Sequence, residues 1–121
     1  MGQGLLDLVR LLMNMECILY RAVTQREYDD IIAQGHRFRC TERSLEAKQF
    51  AINEDCGHYY GREVVMRLDR VQYILVQVVL DIQLFCQGIM RLDECDAVSI
   101  DKQDLEDFND AITRITAINL N

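Results

Sequence analysis

Cys17-Ile18-Leu19-Tyr20-Arg21-Ala22-Val23, followed at once by Thr24-Gln25-Arg26-Glu27, decides the fold class. The first seven residues are apolar or aromatic apart from Arg21, the composition of a strand. Thr24 and Glu27 stand at capping-box spacing. They open a helix that carries Tyr28, Ile31 and Ile32 on one face until Gly35 closes it. This step predicts an α+β domain: a small mixed or antiparallel sheet flanked by about three to four helices, in one compact unit over residues 16–121.

Further along, Lys48-Gln49-Phe50-Ala51-Ile52 alternates as a strand. Asn53 then caps a helix running through Tyr60 to about Leu68, which Gly57 and Gly61 weaken. Tyr73 to Leu80 is apolar but for Gln77, which predicts a central strand covered on both faces. Residues 89–100 supply one or two more strands, with 96–100 the better candidate. A last helix is expected from a cap near Asp101, with Leu105, Phe108, Ile112 and Ile115 at helical spacing.

Residues 1–15 form a separate element. Asp7, Arg10 and Asn14 interrupt an otherwise apolar run at helical spacing, so the segment reads as an amphipathic helix with a wide apolar face. It lacks the basic leader of a signal peptide and is too short to span a bilayer, which takes about 20 residues. Its face, residues 5–13, needs cover from this domain, a second copy or a protein partner, with a membrane surface as the weaker option. Met15 is an alternative start for the compact unit.

The chain of 121 residues carries 13 basic and 20 acidic side chains, a net charge of −7. That excludes a protein devoted to coating nucleic acid or anionic lipid, both of which demand a basic field. The acidity is local: eight carboxylates and one lysine lie within residues 93–110, while acids and bases balance over 16–48. The acidic run reads first as a solvated helix face with favourable charges near its N-terminus. Five cysteines, an odd number with no C-x-x-C pair, read as free thiols of a reducing compartment, which predicts a cytoplasmic setting. Cys56 and His58 are too few to hold a metal, so no metal is expected.

Arg21 is the first candidate site residue. Strand alternation places it on the face of Cys17 and Leu19, where an unpaired charge costs several kcal/mol. Two readings stand: an internal ion pair, or a ligand. The planar fork of guanidinium donors suits phosphate or carboxylate and is a natural grip on a dinucleotide. Ser44, Glu46 and Lys48, two residues apart and beside Phe50, form either a site wall or the start of a strand. Tyr59 and Tyr60 beside His58 offer a stacking surface or a buried helix face. No P-loop, dinucleotide glycine fingerprint, nucleophile elbow or zinc motif occurs.

Leu19-Tyr20-Arg21-Ala22, Glu27-Tyr28 with Ile31-Ile32, Gly35, Phe38, Ser44 to Ala51 and Tyr59-Tyr60-Gly61 together resemble the small toxin-type domains of the ADP-ribosyltransferase-like superfamily. These include domains at the C-termini of bacterial polymorphic toxins. The resemblance covers roughly residues 17–110. It implies NAD as substrate, with Arg21 gripping the dinucleotide, Ser44 shaping the nicotinamide pocket and Tyr60 as a stacking wall. Tyr20, Lys48 and Phe50 would complete the binding set. The late carboxylate that stabilises the ribosyl cation would be Glu94 or Asp96, because no Glu-x-Glu or Gln-x-Glu pair appears on a late strand. A macromolecular acceptor or an inhibitor protein would be the partner.

Two other classes compete with this enzyme. A small toxin ribonuclease would use the arginines and lysine between 37 and 48 on phosphate and His58 as acid or base, against an adverse net charge. A non-catalytic interaction module, including an inactive relative, would dock through the N-terminal helix.

Overall fold

The computed structural model describes residues 16–40, 47–81, 91–93 and 97–118. The expected helix over 1–15, Ser44, Glu46, Glu94, Asp96, Cys86 and Cys95 lie outside those residues. The strands are β1 (Glu16–Val23), β2 (Ala47–Ala51), β3 (Ile74–Asp81), β4 (Arg91–Asp93), β5 (Ala97–Asp101) and β6 (Ile112–Ala117). They form one sheet in the spatial order β4-β5-β2-β1-β3-β6, with every neighbouring pair antiparallel. The helices are α1 (Gln25–Ala33), α2 (Glu54–Tyr60), α3 (Arg67–Asp69) and α4 (Leu105–Ala111), with a π-helical stretch over Gly61–Met66 joining α2 to α3. The α+β architecture read from the sequence is the one observed.

Local chemistry sets each boundary. The Thr24 side chain accepts from the Glu27 N–H at 3.1 Å and starts α1. Gly35 ends it at φ 75°. There the N–H groups of His36 and Gly35 donate to the carbonyls of Ile31 and Ile32, satisfying carbonyls the helix end would orphan. Asn53 caps α2 by accepting from the Cys56 N–H at 2.8 Å.

The two faces of the sheet differ. Leu19, Val23, Phe50, Ile74, Val76, Val78, Leu80, Val98 and Ile100 are buried on one face under Ile31, Phe38, Leu105 and Phe108. Phe38, Phe50 and Phe108 pack ring on ring, with the Phe50–Phe108 centroids 4.7 Å apart. Asn109 is buried beside them. Its Oδ1 accepts from the Phe38 N–H at 2.8 Å and its Nδ2 donates to the Phe38 carbonyl at 2.6 Å, fixing the segment after α1 as a neighbouring strand would. Gly57 of α2 lies against Leu75 and Tyr20 on the opposite face, where a Cβ would come within 2.7 Å of the Leu75 side chain.

One expectation is corrected. The C-terminal helix stops at Ala111, and Ile112 and Ile115 belong to β6. Ile112-Thr113-Arg114-Ile115-Thr116 is rich in β-branched residues, and an open edge of β3 accepts it, with Val78 opposite Ile115. Tertiary pairing overrides a helical spacing that was continuous across the boundary.

Candidate functional site

β1 pairs with β3 along its whole length, Glu16 opposite Asp81 through Val23 opposite Ile74. Its pairing with β2 consists of Tyr20 opposite Ala51 alone. Beyond that position toward Val23 the two strands share no register, and the gap is a cleft of about 240 Å³. Its walls are Tyr20 to Thr24, Glu27, Gln49 and Ala51 on one side and Gly57, Tyr60, Val64, Val65 and Asp69 on the other.

Arg21 spans the split. Its Nη1 donates to the Gln49 carbonyl at 2.9 Å, where a continuous ladder would have placed a backbone donor. Its Nε and Nη2 donate to the two carboxylate oxygens of Glu27 at 2.7 and 3.1 Å. The guanidinium carbon lies 5.7 Å from the Phe50 ring centroid, within cation–π range. Of the five N–H donors of an arginine, these bonds use three. One on each terminal nitrogen is uncommitted among the described residues. The internal ion pair anticipated as one reading of Arg21 is therefore present, and it leaves donors over.

Lys48 is buried behind this pair, with Nζ 3.8 Å from Glu27 Oε1. Burial pushes the Glu27 carboxyl up, yet the charge and hydrogen bonds of Arg21, helped by Lys48, outweigh it and hold the group below its usual range. Burial and the neighbouring Arg21 charge push the Lys48 amine down, and Glu27, Cys40 and Asp30 only partly restore it. The cluster thus keeps a carboxylate ionised between two cations, one of which is held reluctantly.

The other sequence candidates separate around this cleft. Tyr20 and Tyr60 line it with Arg21. Lys48 and Phe50 reach it only through Arg21 and Glu27. His58 is turned elsewhere: its Nδ1 lies 2.7 Å from the Tyr73 hydroxyl and its Nε2 3.6 Å from Glu54. Arg37 and Arg39, read as phosphate ligands for a nuclease, are engaged by carboxylates, Arg37 with Glu106 and Asp110 and Arg39 with Asp30. The acidic C-terminal helix and the basic stretch after α1 therefore partly neutralise each other.

Four contributors are not among the candidates read from the sequence: Glu27 as the partner of Arg21, the Gln49 carbonyl, Gly57 and Asp69. For Glu27 the clue existed in the cap. Thr24 fixes it in the first turn of α1, pointing back along the strand that holds Arg21.

No protein-family model, no curated protein and no solved structure matches the chain. Among the described residues no helix is long and apolar enough to cross a membrane, and no group of three His, Cys, Asp or Glu is placed to hold a metal ion.

Proposed function

We propose that the chain is an ADP-ribosyltransferase-like domain that binds NAD in the cleft between β1 and β2 and cleaves it at the nicotinamide–ribose bond. The ADP-ribosyl group passes to a macromolecular acceptor or to water, as in a toxin or effector acting in a bacterial or host cytoplasm. The observation that carries the reading is the arrangement of Arg21. Its guanidinium is held by Glu27 in a split between strands and retains two donors beside the aromatic walls Tyr20 and Tyr60. A dinucleotide needs both a fork for phosphate and flat surfaces for its rings. A cleft of about 240 Å³ takes the nicotinamide end, with the rest of the molecule lying over the rim. In this scheme Arg21 holds a phosphate and Tyr60 borders the nicotinamide, while the resemblance assigns the nicotinamide side also to Ser44 and the sugar cation to Glu94 or Asp96, which lie outside the described residues. Calorimetric titration with NAD and chromatography of released nicotinamide on the same sample test it; absence of both overturns it.

A second reading, a protein-interaction module, is favoured by a different observation. Ile52, Tyr59, Val64, Met66, Leu68 and Val71 are exposed apolar side chains drawn from one stretch of chain, Leu68 being 72% exposed. Where such side chains join into a contiguous patch they bind proteins, and an acceptor or inhibitor protein is the partner this reading expects.

A further inference from the structure

β6 is an edge of the sheet: it pairs with β3 on one side and, among the described residues, with no strand on the other. One bond shows which of its backbone groups face outward. The Ile118 N–H donates to the Leu75 carbonyl at 2.9 Å, one step beyond the pair of Val76 and Ala117. Antiparallel pairs alternate, so Thr116 and Arg114, like Ile118, turn their N–H and C=O groups toward β3, while Ala117 and Ile115 turn theirs away. The register shift lies earlier, between Val79 and Leu80, and leaves residues 114–117 regular. This edge is open. Arg114 and Thr116 are exposed, and Ile115 and Ala117, which pack against the core, are only partly covered. A row of unpaired donors and acceptors is met by another extended backbone.

We infer that β6 is an interface for a second copy of this chain, joined edge to edge about a two-fold axis through Thr116. In that register Ile115 of each copy lies opposite Ala117 of the other. All the outward N–H and C=O groups of both residues are then paired. The branched side chain sits beside the small one and carries the core face across the junction, and Thr116 meets its own copy, a favourable cross-strand pair. Charge selects this register. Arg114, the one charged residue of β6, lies opposite Ile118 of the second copy, so the two guanidiniums stand at opposite ends of the contact. Centring the axis on Arg114 would set like charges face to face. Centring it on Ile115 would set Thr113, which the register with β3 skips, against Ala117. The contact uses neither the cleft nor Arg21 and is independent of the NAD reading.

Sedimentation velocity of the full chain over a concentration series tests it, with thermal unfolding as the control for folding. Wild type is expected to pass from monomer to dimer as concentration rises. Thr116→Arg, at an exposed position, opposes like charges across the axis; it should keep its unfolding temperature and weaken the dimer by about 10-fold or more. Thr116→Cys should form an intermolecular disulfide on mild oxidation, since facing Cα atoms in a non-hydrogen-bonded pair lie about 4.5 Å apart, within disulfide range. Arg114→Cys, out of reach of its own copy in this register, should cross-link no more than wild type, whose own cysteines set the background. A wild type that stays monomeric at millimolar concentration overturns the inference. So does a dimer that Thr116→Arg leaves unweakened, because it would be built on another surface.

Discussion

Arg21 and Glu27 stand six residues apart and meet across the corner where β1 becomes α1, their side chains joined by two hydrogen bonds of 2.7 and 3.1 Å. The pair lies beyond Tyr20 and Ala51, where β1 and β2 share no described register, so it is at once a structural clasp and the cation of the cleft.

Removing one partner leaves the other charge stranded. Arg21→Ala is expected to destabilise the domain by about 2 kcal/mol, less than the 3–5 kcal/mol of a fully buried pair, because the side chains keep 20% and 25% exposure. Glu27→Gln should cost less, since a neutral amide still accepts from the guanidinium. A double-mutant cycle in urea checks the coupling, and independent, additive effects would show that the clasp contributes nothing.

The same pair makes stability depend on acid. The Glu27 carboxyl lies below its usual value in the folded state. Its contribution is therefore fully present above the unfolded value of about 4.3 and is lost as pH falls through the lower folded value. Unfolding free energy measured from pH 6 down to pH 2 should decline more steeply in wild type than in Glu27→Gln. Parallel curves would contradict the shift.

Lys48 shifts in the same direction for a different reason, because the fold disfavours its charge instead of favouring it. Its amine is pushed down in the folded state, so the unfolded chain binds the proton more tightly, and stability rises with pH between the lowered folded value and the ordinary lysine value. Lys48→Met removes a charge the fold tolerates poorly. The variant should melt at or above the wild-type temperature near pH 7, and a clear loss would show that the 3.8 Å contact with Glu27 outweighs burial.

Asn109 is a purely structural prediction. Asn109→Ala strands the N–H and carbonyl of Phe38 in a buried setting, and about 2–4 kcal/mol of stability should disappear, taking each stranded group at about 1–2 kcal/mol. Chemical denaturation measures it, and a change under 1 kcal/mol would mean that water replaces the amide.

Most of the fold was legible because local signals and packing agree. Thr24, Gly35 and Asn53 act where their chemistry predicts, and the apolar run before Asp81 is an interior strand. The C-terminal helix was read too long because Ile112 and Ile115 continue a helical spacing, while the edge of β3 that captures them is written 35 residues or so earlier in the chain. The site was half legible. Arg21 was conspicuous as a charge in an apolar strand, but its partner looked like a capping residue only. Asp69 was invisible, since a π-helical stretch sets which way its helix ends, and spacing rules assume 3.6 residues per turn.

The most direct test of the central claim is calorimetric titration of NAD into wild type and Arg21→Ala, with unfolding curves confirming that both are folded. Saturable binding by wild type, lost in a folded Arg21→Ala variant, with nicotinamide appearing only in the wild-type sample, is the predicted result. A folded wild-type protein that takes up no NAD and releases no nicotinamide would contradict the account.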